Sequence, residues 1–184
     1  MAKIFKAACF CVVLLAAALT ASAQGFKQLT ADDFRSVPLP NSLGVVAYTN
    51  CSINFSYQAT LSNNIYRLNF NVILTLNRDK SWINRSVIAT RELLTEILKH
   101  EQGHYNIAYL EQQEVIRAMT RMRFTSNYKA EAMGLFNRID AKYKQLNIDY
   151  DEDTEHSQNH QQQHSWDVYF NKRLEYMPPE NASL

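Results

Sequence analysis

The chain has 184 residues, and its 19 basic and 18 acidic side chains leave a formal charge of +1 with histidines neutral. That near balance leaves no basic footprint for nucleic acid. The length suits one domain with its own core.

The first stretch has a basic start at Lys3 and Lys6, an apolar run from Ala7 to Leu19, and small residues at Ala21 and Ala23. This is a signal-peptide pattern. The apolar run falls short of the roughly 20 residues that cross a bilayer, and no basic stop-transfer flank follows it. Cleavage is expected after Ala23, leaving residues 24–184 as a single exported domain, secreted or periplasmic. No Cys opens that chain, which argues against a lipoprotein anchor, and no later segment is apolar enough for a membrane span. Without residues 1–23 there are 17 basic and 18 acidic side chains, and Cys51 is the one cysteine left. It is expected to be a small buried residue, with pairing between chains as the other reading.

From Gln24 to Ser42 the chain carries Asp32, Asp33, Pro38, Pro40 and Asn41 and reads as irregular. Strand-prone residues follow at Val45, Val46 and Tyr48, then at Ile53, Phe55 and Tyr57, and Ser62-Asn63-Asn64 is a plausible turn. Tyr66, Leu68, Phe70, Val72, Leu74 and Leu76 alternate with mostly polar neighbours, as a half-exposed antiparallel strand requires. After the turn-like Asn77-Arg78-Asp79-Lys80, a long helix is predicted from about Ser86 to Met122. Leu93, Ile97, His100, His104, Ile107 and Glu111 form one stripe of it. Further helices are predicted from Lys129 to about Leu146 and from about Asp153 to Tyr176, ahead of Pro178-Pro179.

His100-Glu101-Gln102-Gly103-His104 is an H-E-x-x-H motif. Side chains four apart on a helix stand one turn above each other, so both imidazoles can reach one Zn2+ while Glu101 points to the ion's open side. There Glu101 would act as general base toward a zinc-activated water. A catalytic zinc takes three protein ligands, and the other histidines, His156, His160 and His164, all lie in one acidic, Gln-rich segment. His156 is the expected third ligand, with Glu155, Asp151 and Glu152 as alternatives. The spacing of His156, His160 and His164 also suits one helix face, which reads as a solvated polar stripe sooner than as a second metal site. Tyr143 and Tyr150 could offer an oxyanion-stabilising hydroxyl, though neither position stands out. Trp82 and Trp166 read as packing residues.

These residues resemble the bacterial secreted proteins grouped as a domain of unknown function, numbered 922, and described as predicted zinc-dependent proteases. The resemblance rests on Leu29-Thr-Ala-Asp-Asp-Phe34, Ala47-Tyr-Thr, Ser81-Trp82, Leu98 to Ala108 around the motif, and Tyr150-Asp151 with Thr154, His156, Gln162 and Trp166. It implies His100 and His104 on zinc, Glu101 in catalysis, and Asp151 and His156 in the site. The family pattern usually has Trp where Ala31 stands and Gly where Ser157 stands. The expected fold is α+β, an N-terminal antiparallel β-sheet packed on a helical C-terminal half, zincin-like, with the cleft between sheet and motif helix. The expected activity is hydrolysis of a peptide or protein substrate by a zinc metallopeptidase. Two rivals are a non-catalytic zinc-binding module and an amidase acting on cell-wall peptides.

Overall fold

The computed structural model describes residues 26–39, 44–63 and 65–176. The predicted signal peptide lies outside the described residues.

The described chain is mixed α and β, with two small antiparallel sheets and three helices, the helical half C-terminal. Strand β1 (Ala47–Tyr48) pairs with β4 (Trp82–Ile83), and β2 (Cys51–Ser62) pairs with β3 (Ile65–Leu76) along their whole length. Alternation sets the faces of the long ribbon. In β2, Ile53, Phe55 and Tyr57 turn toward the helices, while Ser52, Asn54, Ser56 and Gln58 face solvent.

Helix α1 (Arg91–Arg121) begins later than its periodicity suggests. Thr90 is extended and its hydroxyl accepts the Leu93 amide at 3.1 Å, an N-cap, while Arg85–Val87 form a separate 3-10 turn. Helix α2 (Tyr128–Thr154) runs eight residues beyond the predicted end at Leu146, which also moves the start of α3 (His160–Tyr176). The reason is a buried stripe of Ala132, Ile139, Tyr143, Tyr150 and Thr154, spaced seven and four, whose last members are too polar to read as core. One apolar cluster lies between the ribbon and the helices, around Leu110, Val115, Tyr143 and Phe170. A second joins Leu29, Phe34, Ala47 and Leu74 to α1 at Ile97, Tyr105 and Tyr109.

The irregular N-terminal segment is a strap across this second cluster. Thr30 and Asp33 cap the 3-10 turn Ala31–Asp33 reciprocally. The buried Asp33 carboxylate also receives Lys27 Nζ and Arg78 Nε, each at 3.1 Å. Burial alone would raise the Asp33 pKa, but the Thr30 amide and these two cations hold it below its ordinary value.

Candidate metal site

The five residues of the motif cover about one and a half turns of α1, and each of them has a structural task. His100, Glu101 and Gln102 are buried, Glu101 at 3% exposure. Gln102 faces away from the cleft and fastens the strap: its Oε1 accepts the Leu29 amide at 2.7 Å and its Nε2 donates to the Lys27 carbonyl at 3.1 Å. Gly103 leaves room for Tyr150, since a Cβ there would lie closer to the phenol oxygen and ring than any non-bonded contact allows. Through that gap Tyr150 stacks on the His100 ring, centroids 4.8 Å apart, and its hydroxyl donates to the His100 carbonyl at 3.0 Å.

Both imidazoles are oriented through Nδ1. His100 Nδ1 is 3.2 Å from Gln163 Oε1, and His104 Nδ1 is 2.8 Å from Asn147 Oδ1. Amide oxygens only accept, so each Nδ1 carries a proton and each Nε2 is aimed into the cleft, where it offers a lone pair whenever its ring is neutral. The two Nε2 atoms are 3.2 Å apart, and Asp151 Oδ1 stands 3.2 Å from the first and 3.1 Å from the second. Three atoms of metal-ligand type thus form a nearly equilateral triangle. Glu101 lies beside it, its Oε2 accepting the Thr49 hydroxyl at 2.5 Å.

The charges respond to this crowding. Burial disfavours charge on His104, but Asp151 and Glu101 outweigh it and raise the imidazole to about 9. Burial likewise pushes Asp151 up, and the hydrogen bonds from His100 and His104 overcome it, holding the carboxyl well below the usual range. The centre of the triangle therefore draws positive charge. His100, Glu101 and His104 are arranged as a possible metal-binding group, and so are His100, Asp151 and His156.

His156 reaches the cluster through Asp151, its Nδ1 lying 3.3 Å from Asp151 Oδ1. It rides on an unusual turn, in which Glu155, His156 and Ser157 all have positive φ, at 48°, 51° and 81°. Such a run is costly for residues other than Gly, and Ser157 is where the resemblance usually has Gly. The turn ends α2 and folds the chain back over the cleft. Of the alternatives, Glu152 and Glu155 are exposed. His160 and His164 lie on α3, and His164 lines a groove on the other side of α1 with Lys99 and Asn106. Tyr143 bonds Glu114 Oε2 at 2.8 Å, away from the site. Trp82 is buried, and Trp166 packs edge-on against Tyr150 and donates to Asp153 Oδ2 at 3.0 Å. Cys51 is a partly buried free thiol, pushed up to about 12 by burial and by the charge of Glu101.

The triangle and Glu101 open onto a cleft of about 200 Å³. One wall is apolar, made by Val45, Val46, Ala47 and Ile97; the other carries His100, His104, Asn147, Asp151 and His156. Sequence reasoning gave no role to Thr49, which entered only as part of Ala47-Tyr-Thr, and did not single out Asn147 or Gln163. A faint signal exists for Asn147, which stands four residues before Asp151 just as His100 stands four before His104.

No curated protein and no solved structure matches the chain. A family model described as bacterial protein of unknown function (DUF922) matches residues 20–169. The match takes in the strap, both sheets, the motif helix, the triangle and most of α3, and on that extent the chain belongs to the DUF922 family.

Proposed function

We propose that this protein is an exported, zinc-dependent hydrolase of peptide bonds, with the metal on His100, His104 and Asp151. The triangle carries the reading. Four-coordinate zinc with bonds of about 2.0 Å needs ligand atoms about 3.3 Å apart, and the three atoms stand 3.1 to 3.2 Å apart. The convergence calls for positive charge, which a proton on His104 supplies when no metal is bound and which a zinc ion would supply to all three atoms at once. Nδ1 bonds to Gln163 and Asn147 are the outer support that metal-bound histidines need.

Zinc there would supply Lewis acidity toward a substrate carbonyl and a lowered pKa for a water molecule. The chain's own residues do the rest. Glu101, oriented by Thr49, accepts a proton from the attacking water and returns it to the leaving nitrogen. The apolar wall from Val45 to Ala47 holds substrate against the polar one. An N-terminal sheet packed against a motif helix, with the cleft between, supports a zincin-like arrangement.

The second reading is a closed, non-catalytic zinc site, favoured by His156 Nδ1 standing 3.3 Å from Asp151 Oδ1, near enough to become a fourth ligand. One experiment separates the two. Zinc content and hydrolysis of reduced casein are measured for wild type, Asp151→Ala, His156→Ala and Glu101→Gln. The hydrolase reading expects about one zinc per chain in wild type, His156→Ala and Glu101→Gln, its loss in Asp151→Ala, and a fall in turnover of about 100-fold or more in Glu101→Gln. Tight zinc that needs His156, with no hydrolysis by wild type, would favour the closed site. Wild type that takes up no zinc when resupplied would overturn both.

A further inference from the structure

Away from the cleft, the two edges of the β2–β3 ribbon are treated differently by the rest of the chain. In an antiparallel pair, residues alternate between spending their backbone groups on each other and turning them outward. On β3 the outward set is visible from its partners: Gln112 Nε2 of α1 donates to the Val72 carbonyl at 2.9 Å, and Tyr66 bridges to Phe124. Val72 and Tyr66 stand opposite Phe55 and Leu61, so on β2 it is Ile53, Phe55, Tyr57, Ala59 and Leu61 that turn N–H and C=O outward. Among the described residues, no hydrogen bond reaches those groups. The β3 edge is covered and the β2 edge is bare.

Edge strands are ordinarily guarded by charge, Pro or a bulge. Strand β2 has none of these in its 12 residues, while β3 carries Arg67. Its inward row of Ile53, Phe55 and Tyr57 packs on the helices yet stays only half-buried. A neighbouring strand would therefore satisfy free backbone groups and cover apolar surface together.

We propose that the β2 edge is a homodimer interface, in which β2 of two copies pair antiparallel about a two-fold axis through Ser56. This register sets Phe55 of one copy opposite Tyr57 of the other and keeps both apolar rows on one face of a four-stranded sheet. On the outer face Asn54 meets Gln58 and Ser56 meets itself, with no charge to repel. A second copy fits because the edge is its own complement in length, neutrality and alternation. Assembly closes at two because α1 and Phe124 cover the β3 edges.

The test is molar mass by light scattering across a range of chain concentrations for wild type, Ser56→Glu and Ala59→Pro, with circular dichroism to confirm folding. Ser56 is exposed, and Glu there sets two carboxylates against each other at the axis. Ala59→Pro removes an outward N–H that β3 does not use, so the ribbon itself stays paired. The expected result is a wild-type dimer whose dissociation constant rises about tenfold or more in each variant. A wild type that stays monomeric at 100-fold dilution and at its highest concentration, a dimer indifferent to both substitutions, or open-ended growth beyond two copies would each overturn the proposal.

Discussion

Gly103 has no room for a side chain, and the reason lies 47 residues away at Tyr150. The phenol is held by the His100 carbonyl, by Gln163 at 2.9 to 3.0 Å and by stacking on the His100 ring, so it has nowhere to retreat from an added methyl group. Gly103→Ala is therefore expected to lower stability by about 1–3 kcal/mol, the usual range for overpacking. Because Tyr150 also positions His100, zinc affinity should fall in the same variant. Thermal melts and zinc titration together check this, and a variant unchanged in both would mean that Tyr150 does not brace the site. Aspartate at 151 and glutamate at 101 differ in kind: the first is drawn into the triangle by two imidazoles, the second stands aside with its carboxylate bonded by Thr49 and left facing the cleft.

At the scale of elements, α1 is a buried helix with an unusually polar inward face, and each polar group needs an account. Gln102 serves the strap and Gln112 serves β3, but Glu111 meets mostly burial. That desolvation, with the nearby Asp140 charge and only partial relief from Lys144, raises its pKa to about 7. A carboxyl raised above its unfolded value of about 4.5 costs nothing below that pH, and its ionisation penalty grows until the pH passes about 7. Glu111→Gln should thus stabilise the protein at pH 8 by about 2 kcal/mol and have little effect at pH 4, as denaturant melts at the two values would show. The strap behaves oppositely. Asp33→Ala leaves Lys27 and Arg78 without their buried partner and the Thr30 cap undone, and should cost about 2 kcal/mol near neutrality. Since the Asp33 pKa is depressed, that cost should shrink as pH falls below the ordinary carboxylate range. A melt insensitive to Asp33 at pH 7 would show that the apolar contacts of Leu29 and Phe34 hold the strap by themselves.

For the molecule as a whole, the triangle ties two long helices together, with His100 and His104 from α1 and Asp151 from α2. Anything that binds this arrangement and not the unfolded chain stabilises it by mass action. Once free zinc exceeds the dissociation constant, each tenfold increase should add about 1.4 kcal/mol, and a chelator should reverse the gain. His104→Ala should melt at the same temperature with and without zinc. A wild-type melting point independent of both zinc and chelator would remove the metal from the account.

What could be read without coordinates is whatever depends on neighbours along the chain. Alternation in Tyr66–Leu76 marked the ribbon, and the three-and-four spacing through Leu93 and His104 marked the motif helix and its inward face. Two histidines one turn apart announced their own pairing because that geometry is a property of any helix. The third corner could not be read the same way. Asp151 and His156 were both in view, but which atom stands 3.1 Å from His104 depends on where α2 crosses α1 and on the left-handed turn that follows Thr154. Gln163 escaped notice for the same reason: among the many glutamines of its segment, only packing turns one amide toward His100 Nδ1. Local periodicity sets the elements and one edge of the site, while contacts across 43 to 63 residues of chain set the third corner of the triangle, the Nδ1 partners of both histidines and the room for Tyr150 beside Gly103.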